Sequence, residues 1–101
     1  MLILQTLAVE PLHGYAIAQR LRQLSENALQ VPQGSLYPAL HRLERRKWLK
    51  AAWRQTHTGR SAKFYSLTSA GRRQLGQEQT DWERFTTAIA RVMRLPRRET
   101  S

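Results

Sequence analysis

Apolar residues return every three or four positions in three stretches of the first half of the chain. In the second of these stretches, Ile17, Leu21 and Leu24 lie at positions i, i+4 and i+7, with polar residues between them. This spacing gathers apolar side chains on one face of a helix. The pattern therefore predicts three short amphipathic helices, at about residues 2–10, 13–25 and 36–46.

Proline and capping residues set the predicted ends of these helices. Pro11 ends the first helix, because proline disfavours a helical conformation at the residue before it. Asn27 is the predicted stop of the second helix. Ser35 is the predicted N-cap of the third helix, which places Pro38 in the first turn, where its missing N–H removes no helical hydrogen bond.

The periodicity changes from helical to alternating after Lys47. Residues 49–54 and 63–67 alternate between the two faces of a strand and contain aromatic side chains, which is typical of β-structure. The polar segment 56–61 between them contains Gly59, as the loop of a hairpin does. A two-stranded β-hairpin is therefore predicted.

A longer helix is predicted over 69–95, with Thr68 or Ser69 as its cap and Pro96 as its stop. Its apolar stripe includes Leu75, Trp82, Phe85, Ile89, Val92 and Met93. Three short helices and a hairpin are too small to cover a stripe of this length. The far half of the helix is therefore expected to contact a second subunit.

The order of these elements is that of a winged helix-turn-helix. The predicted fold class is mainly α with a small β-hairpin. The predicted parts are a winged helix-turn-helix at 1–68, a long C-terminal dimerisation helix at 69–95 and a basic flexible tail at 96–101. In such a fold the third helix enters the major groove of DNA, and the hairpin, or wing, meets the backbone or the neighbouring minor groove.

Positive charge is concentrated in the middle of the chain. The formal net charge is +10, and residues 33–74 carry ten Lys and Arg side chains against a single acid, Glu44. A basic block of this kind in a folded domain indicates a polyanionic partner such as nucleic acid. A solvated surface that only maintains solubility is the alternative. No membrane partner is expected, because the block lacks a long amphipathic helix.

The remaining composition excludes several classes of protein. The 101 residues contain no Cys, which rules out disulfides and Cys-based zinc sites. His13, His41 and His57 lack ligand spacing, so no metal and no cofactor is expected. One Asp and six scattered Glu offer no acid–base pair, so the protein is not expected to be an enzyme. No apolar run is long enough to span a membrane, and a cytoplasmic, nucleoid-associated location is predicted.

Several motifs resemble those of PadR-type bacterial transcriptional regulators. They are His13-Gly14-Tyr15, the block from Gln33 to Leu40, the pair Leu43-Glu44, and the block from Lys63 to Thr68 followed by Gly71. The resemblance covers about residues 2–93 and is greatest to short-tailed members with one C-terminal helix. It implies a homodimeric repressor. Lys47 stands where the family usually has glycine, so a left-handed turn there is expected to cost about 1 kcal/mol.

Eight residues are predicted to contact DNA, because they lie on the polar face of the third helix, at its start, or around the wing tip. They are Gln33, Ser35, Tyr37, His41, Arg42, Arg45, Arg60 and Lys63. Gln33 and Ser35 either meet base edges and phosphates or only cap the helix. Tyr37 either contacts DNA or packs against the second helix. Arg60 and Lys63 are expected to neutralise phosphates.

The resemblance further implies a dimer built from the first and last helices. The predicted interface contains Leu4, Trp82, Phe85, Ile89, Val92 and Met93. Two copies would bind a pseudo-palindromic operator and act by occlusion. The resemblance also implies that a small aromatic effector stacks on Trp82, with plain packing as the alternative.

An RNA- or ribosome-associated winged-helix protein is the second functional hypothesis. RNA readers usually expose aromatic side chains on which bases stack. Here the aromatic residues outside the last helix are expected to pack in the core and the hairpin, namely Tyr15, Trp48, Trp53 and Tyr65. This expectation favours double-stranded DNA over RNA.

Overall fold

The computed structural model describes residues 1–94. Its elements, in chain order, are α1 (Leu2–Thr6), β1 (Leu12–His13), α2 (Gly14–Leu24), α3 (Gln33–Arg45), β2 (Leu49–Gln55), β3 (Ser61–Leu67) and α4 (Ser69–Met93). The architecture is mainly helical with a small antiparallel sheet, which confirms the predicted winged-helix fold class. The predicted tail at 96–101 and the last predicted residue of the long helix lie outside the described residues.

Helix α1 is four residues shorter than predicted. It ends at Thr6 with Leu7 as its C-cap, and the Thr6 hydroxyl donates to the Leu2 carbonyl at 2.8 Å. Leu7 and Leu12 are both buried in the core. The chain leaves the helix early because it has to turn back within a few residues and bring Leu12 to the sheet.

The sheet has three strands instead of the predicted two, in the order β1-β3-β2. Strand β1 pairs Leu12 with Tyr65 and His13 with Phe64. Two residues are too few to show an alternating pattern, so this strand left no signal in the sequence. His13 also caps α2, because its Nδ1 accepts a hydrogen bond from the Ala16 N–H at 3.2 Å.

Helix α3 begins at Gln33, and Ser35 is not its N-cap. The N-cap is Pro32, whose carbonyl accepts from the Ser35 and Leu36 N–H groups at 3.0 Å. Pro38 is therefore the sixth residue of the helix and not part of its first turn. The Gly34 carbonyl loses its helical donor at that point, at an exposed residue that water reaches.

The end of α3 is a Schellman motif with Lys47 in the left-handed conformation, at φ 63°. The Trp48 N–H donates to the Leu43 carbonyl at 3.1 Å, and the Lys47 N–H donates to the Glu44 carbonyl at 2.9 Å. Trp48 and Leu43 both pack against the core. The turn that the family usually forms with glycine is thus present here with a lysine.

The core lies between the three short helices and one face of the sheet. Its fully buried side chains include Leu4, Ile17, Leu36, Leu40 and Tyr65. Leu4 is 0% exposed, so its prediction as a dimer contact is wrong. Its side chain is used within its own protomer and offers no surface to a partner.

A tight joint connects the end of α3 to the beginning of α4. The Thr68 hydroxyl caps α4 by accepting from the Gly71 N–H at 2.9 Å, and it donates to the Lys47 carbonyl at 2.7 Å. A Cβ at Gly71 would lie 2.1 Å from the Trp48 carbonyl oxygen. Only glycine permits this approach of the two backbones.

Helix α4 extends far beyond the core. Leu75 is its last buried side chain. Beyond it Trp82, Phe85, Ile89, Val92 and Met93 are all exposed. The described chain measures 65 × 28 × 22 Å along its principal axes. Its radius of gyration is 17.5 Å, whereas a compact chain of this size has a radius of gyration of roughly 13 Å. The described chain is a small globular head with a long helical arm.

Candidate nucleic-acid interface

All six predicted residues of α3 are exposed, but they divide between two edges of the helix. On the edge near the sheet, His41, Glu44 and Arg45 line one concave surface. On the other edge, Ser35 and Arg42 line an apolar cavity of about 400 Å³ between α3 and α1. The polar face is therefore wide, and its edge near the sheet adjoins the wing.

Tyr37 packs against the second helix, which is one of the two possibilities that the sequence left open, and it remains partly exposed. Its side chain is 38% exposed. The covered part of the side chain lies over Gly14 at the beginning of α2, where a Cβ would come within 2.9 Å of Tyr37 Cε1, Cζ and the hydroxyl oxygen. The ring is thus held by packing, and the remaining part of the side chain is available to a partner.

The wing ends in a tight turn that presents Arg60. The Thr56 N–H donates to the Arg60 carbonyl at 2.7 Å, the Gly59 N–H donates to the Thr56 carbonyl at 2.9 Å, and Gly59 has φ 86°. Arg60 is exposed. The structure thus places this arginine at the wing tip, as predicted, in a position that suits a phosphate contact.

Lys63 does not lie at the wing tip, and in this respect the prediction is wrong. It is the third residue of β3 and pairs with Trp53 in the hairpin. Its Nζ lies 3.3 Å from Glu44 Oε1 of α3 and 5.4 Å from the centre of the Tyr65 ring. The ammonium neutralises the only acid of the basic block and joins the wing to α3.

The ring of Tyr65 lies under the Lys63 ammonium of this ion pair. It is 1% exposed. Burial raises the pKa of its phenol above the ordinary 10.0, and the nearby Lys63 ammonium opposes the rise. The phenol therefore stays neutral around pH 7.

Two aromatic residues that were expected to pack are exposed instead. Trp53 on β2 is 70% exposed and Tyr15 on α2 is 53% exposed. Trp48 and Tyr65 pack against or within the core, as expected. The alternation had assigned Trp53 to the core face correctly, but the strand extends past the end of the core.

On the opposite face of the wing, two side chains of the same protein contact the Phe64 ring. The Arg54 guanidinium lies 4.4 Å from the centre of the Phe64 ring, and His13 meets the same ring edge-on at 5.3 Å. Arg54 is therefore partly committed to packing. The two faces of the hairpin thus differ, because a cation and a histidine contact the Phe64 ring on this face, whereas Trp53 on the other face is exposed.

Helix α4 carries the residues that were predicted to form the dimer interface and to contact an effector. Trp82 and Phe85 lie with their ring centres 5.9 Å apart, tilted by 41°. Both are about half exposed. They are separate from the apolar cavity beside α3, which lies between α1, α2 and α3.

Within residues 1–94 no group of His, Asp and Glu is arranged to bind a metal ion. No helix in that range is long and apolar enough to cross a bilayer. The candidate interface is therefore built from exposed cationic, polar and aromatic side chains alone.

Comparison with known proteins identifies the family. Residues 3–77 match the model of the transcriptional regulator PadR-like family. A PadR-like transcription factor from Bacteroides fragilis is 30% identical, with a TM-score of 0.75 over 90% of this chain and 85% of that one. A PadR family regulator from Clostridium difficile is 26% identical, with a TM-score of 0.80 over 91% and 94%.

A 37.1 kDa protein in a Streptomyces fradiae transposon is 41% identical over 88% of this chain, but this chain spans only 24% of that protein. The family match covers most of the chain, and PadR-like proteins regulate transcription by binding DNA and not by catalysis. The chain therefore belongs to the PadR-like family of DNA-binding transcriptional regulators and is not an enzyme.

Proposed function

We propose that this protein is a homodimeric repressor that binds a pseudo-palindromic operator and blocks access of the polymerase. The observation that carries the proposal is the exposed face of α3 with His41 and Arg45, beside a wing that presents Arg60 at its tip. The polar face of α3 fits the major groove, which is about 12 Å wide, and the wing reaches the neighbouring backbone or minor groove.

The dimer is proposed from the uncovered arm. The apolar stripe from Trp82 to Met93 is not covered by any of residues 1–94. An exposed stripe of this length is typical of a helix that packs against a partner. Two arms that pack together place two copies of α3 on one side of the assembly, and half-sites about 34 Å apart match such a pair.

Control by an effector is part of the proposal. Trp82 and Phe85 form a half-exposed aromatic pair on the arm. A planar aromatic ligand that stacks there would change the packing of the two arms and hence the spacing of the two α3 helices. Addition of such a ligand is expected to weaken operator binding by the parent protein and not by Trp82→Ala.

Selection of bound duplexes from a random library tests the core of the proposal. The expected product is a consensus with two-fold symmetry whose half-sites are one helical turn apart. Transcription in vitro from a promoter that contains this consensus should fall as the protein is added. An asymmetric consensus, or transcription that rises, contradicts the dimeric repressor.

Tyr37 offers a matched pair of variants on the selected operator. Tyr37→Phe retains the ring over Gly14 and loses the hydroxyl group, which also lies against Gly14, whereas Tyr37→Ala loses both the ring and the hydroxyl group. If Tyr37 contacts DNA, both variants bind more weakly, and Tyr37→Ala binds more weakly than Arg60→Ala. Parent-like binding by Tyr37→Ala contradicts the assignment of α3 as the recognition helix.

A structured RNA is the second candidate partner, because the structure exposes Trp53 and Tyr15 where packing was expected. Exposed aromatic side chains are the usual platforms for unpaired bases. Competition between the selected DNA duplex and a structured RNA distinguishes the two partners. Displacement of the DNA by RNA at equal concentration favours the RNA hypothesis.

A further inference from the structure

Trp53 is the most exposed tryptophan of the described chain, and its place in the hairpin defines what surrounds it. It lies opposite Lys63 in the register of β2 and β3, so both side chains are on the same face of the hairpin. Lys63 reaches Glu44 of α3 from that face. Trp53 is therefore on the side of the wing that faces α3, just beyond the edge of the core.

Packing against the described residues does not explain why a tryptophan stands at position 53. The strand pairs nearer the core bury Leu49, Tyr65 and Leu67, whereas Trp53 is 70% exposed. Within residues 1–94 no aromatic or cationic side chain stacks on its ring. A large apolar side chain is thus open to solvent in the most basic segment of the chain.

The surrounding charge indicates what the indole meets. Residues 33–74 carry the excess of positive charge, and the one acid among them is already paired with Lys63. When a helix enters the major groove and a wing reaches the next groove, a single sugar–phosphate strand passes between them. A side chain on the inner face of the wing lies where that strand runs.

We infer that Trp53 packs against the deoxyribose groups of the DNA strand that passes between α3 and the wing. This inference rests on the proposed function. The indole supplies apolar contact to the sugars, and its N–H is a donor for a phosphate oxygen. Such a contact adds affinity on every sequence, because it reads no base edge. It adds no charge, so it releases no counterion.

The contact has a signature that separates it from a cationic contact. Trp53→Ala is expected to weaken binding about tenfold on the selected operator and on unrelated duplexes alike, as the loss of roughly 55 Å² of apolar burial would. The slope of log affinity against log salt stays that of the parent. Trp53→Phe retains part of the affinity.

Fluorescence reports the same contact directly. Quenching of the tryptophan fluorescence by acrylamide is measured with and without a duplex, for the parent and for Trp53→Phe, and fluorescence anisotropy of a labelled duplex measures binding in parallel. The duplex is expected to reduce quenching in the parent. Most of this reduction is lost in Trp53→Phe, which still binds.

The outcomes separate the inference from the proposed function. Binding of the duplex with equal protection in the parent and Trp53→Phe overturns the contact and leaves the repressor intact. Protection of Trp53 by structured RNA and not by duplex DNA also overturns it. A parent protein that binds no duplex at all contradicts the proposed function itself.

Discussion

At the scale of single residues, Lys63 shows how one contact changes the role of a charge. Periodicity placed it on a strand, and its position around the wing tip of the predicted winged helix-turn-helix made it an expected phosphate ligand. Its Nζ instead lies 3.3 Å from Glu44 Oε1, and both side chains are about one-third exposed. A partly exposed pair of this kind contributes little to stability by itself. The ion pair instead fixes the position of the wing relative to α3.

Arg60 and Lys63 are therefore expected to differ in the salt dependence of DNA binding. Arg60→Ala removes an exposed charge at the wing tip, so the log–log slope of affinity against salt should fall by about one unit. Lys63→Met should weaken binding with a smaller change of slope, because its charge is already neutralised. Titrations of a labelled duplex at several salt concentrations measure both slopes.

Glu44→Gln is the control for this pair. It removes the partner of Lys63 and is expected to weaken the attachment of the wing, so its effect on affinity should not add to that of Lys63→Met. Equal losses of slope in Arg60→Ala and Lys63→Met would show instead that Lys63 leaves Glu44 for a phosphate when DNA binds.

Gly71 supports a second prediction at this scale. A Cβ there would meet the Trp48 carbonyl oxygen, which belongs to the backbone and cannot move aside. Gly71→Ala is expected to lower the free energy of unfolding by about 2–4 kcal/mol, as measured by urea denaturation. Gly76→Ala is the control on the same helix, since its added Cβ would have no neighbour within 4 Å apart from the backbone of its own helix and the adjoining residues.

For Gly76→Ala the expected sign is the opposite. Alanine is favoured over glycine in a helix interior by about 0.5–1 kcal/mol. A loss of stability of similar size in both variants would mean that helix propensity, and not the contact with Trp48, governs position 71.

At the scale of elements, the end of α3 tolerates a residue that its geometry disfavours. Lys47 has φ 63° in a complete Schellman motif. Lys47→Gly is expected to raise the free energy of unfolding by about 1 kcal/mol. Lys47→Ala removes the same charge but retains a Cβ, so it should give no such gain. A gain in both variants would assign the effect to charge.

The elements that the sequence predicted well are those with strong local signals. The Thr68 cap and the long stripe of α4 are local, and both are confirmed. Strand β1 is only two residues long and depends on Tyr65 and Phe64, far along the chain. The early beginning of α3 was missed because Ser35 has the ideal side chain for an N-cap, whereas Pro32 uses only its carbonyl.

The residues of the candidate site on α3 could be predicted from the sequence, whereas the contacts of the wing residues could not. Charge and periodicity place Tyr37, His41 and Arg45 on one exposed helix, as the structure does. The pairing of Lys63 with Glu44 crosses 19 positions of sequence and has no local signature. The exposure of Trp53 depends on where the core ends along β2, which periodicity alone does not show.

At the scale of the whole molecule, the arm is the feature that the head cannot stabilise. Its stripe beyond Leu75 is left uncovered by the part of the chain that the structure describes. Phe85→Asp with Ile89→Asp is therefore expected to convert a dimer into monomers, because two carboxylates would have to be buried in the interface. Sedimentation velocity measures the change.

Thr80→Asp with Thr87→Asp is the matched control for charge. Both threonines are exposed and line the same shallow concave surface of α4, away from the stripe. This double variant should sediment as the parent does. A dimer that persists with Phe85→Asp and Ile89→Asp would place the interface elsewhere in the molecule.

The close contact between the end of α3 and the beginning of α4 makes the two helices move together. The Thr68 hydroxyl ties the two helices together, and no side chain separates Gly71 from Trp48. A tilt of about 5° at one end of a helix of 25 residues, roughly 37 Å long, moves the other end by about 3 Å. That displacement is close to the ~3.4 Å rise of one base pair. In the proposed dimer, small changes where the two α4 helices meet would thus move each α3 helix by about one base pair along the duplex.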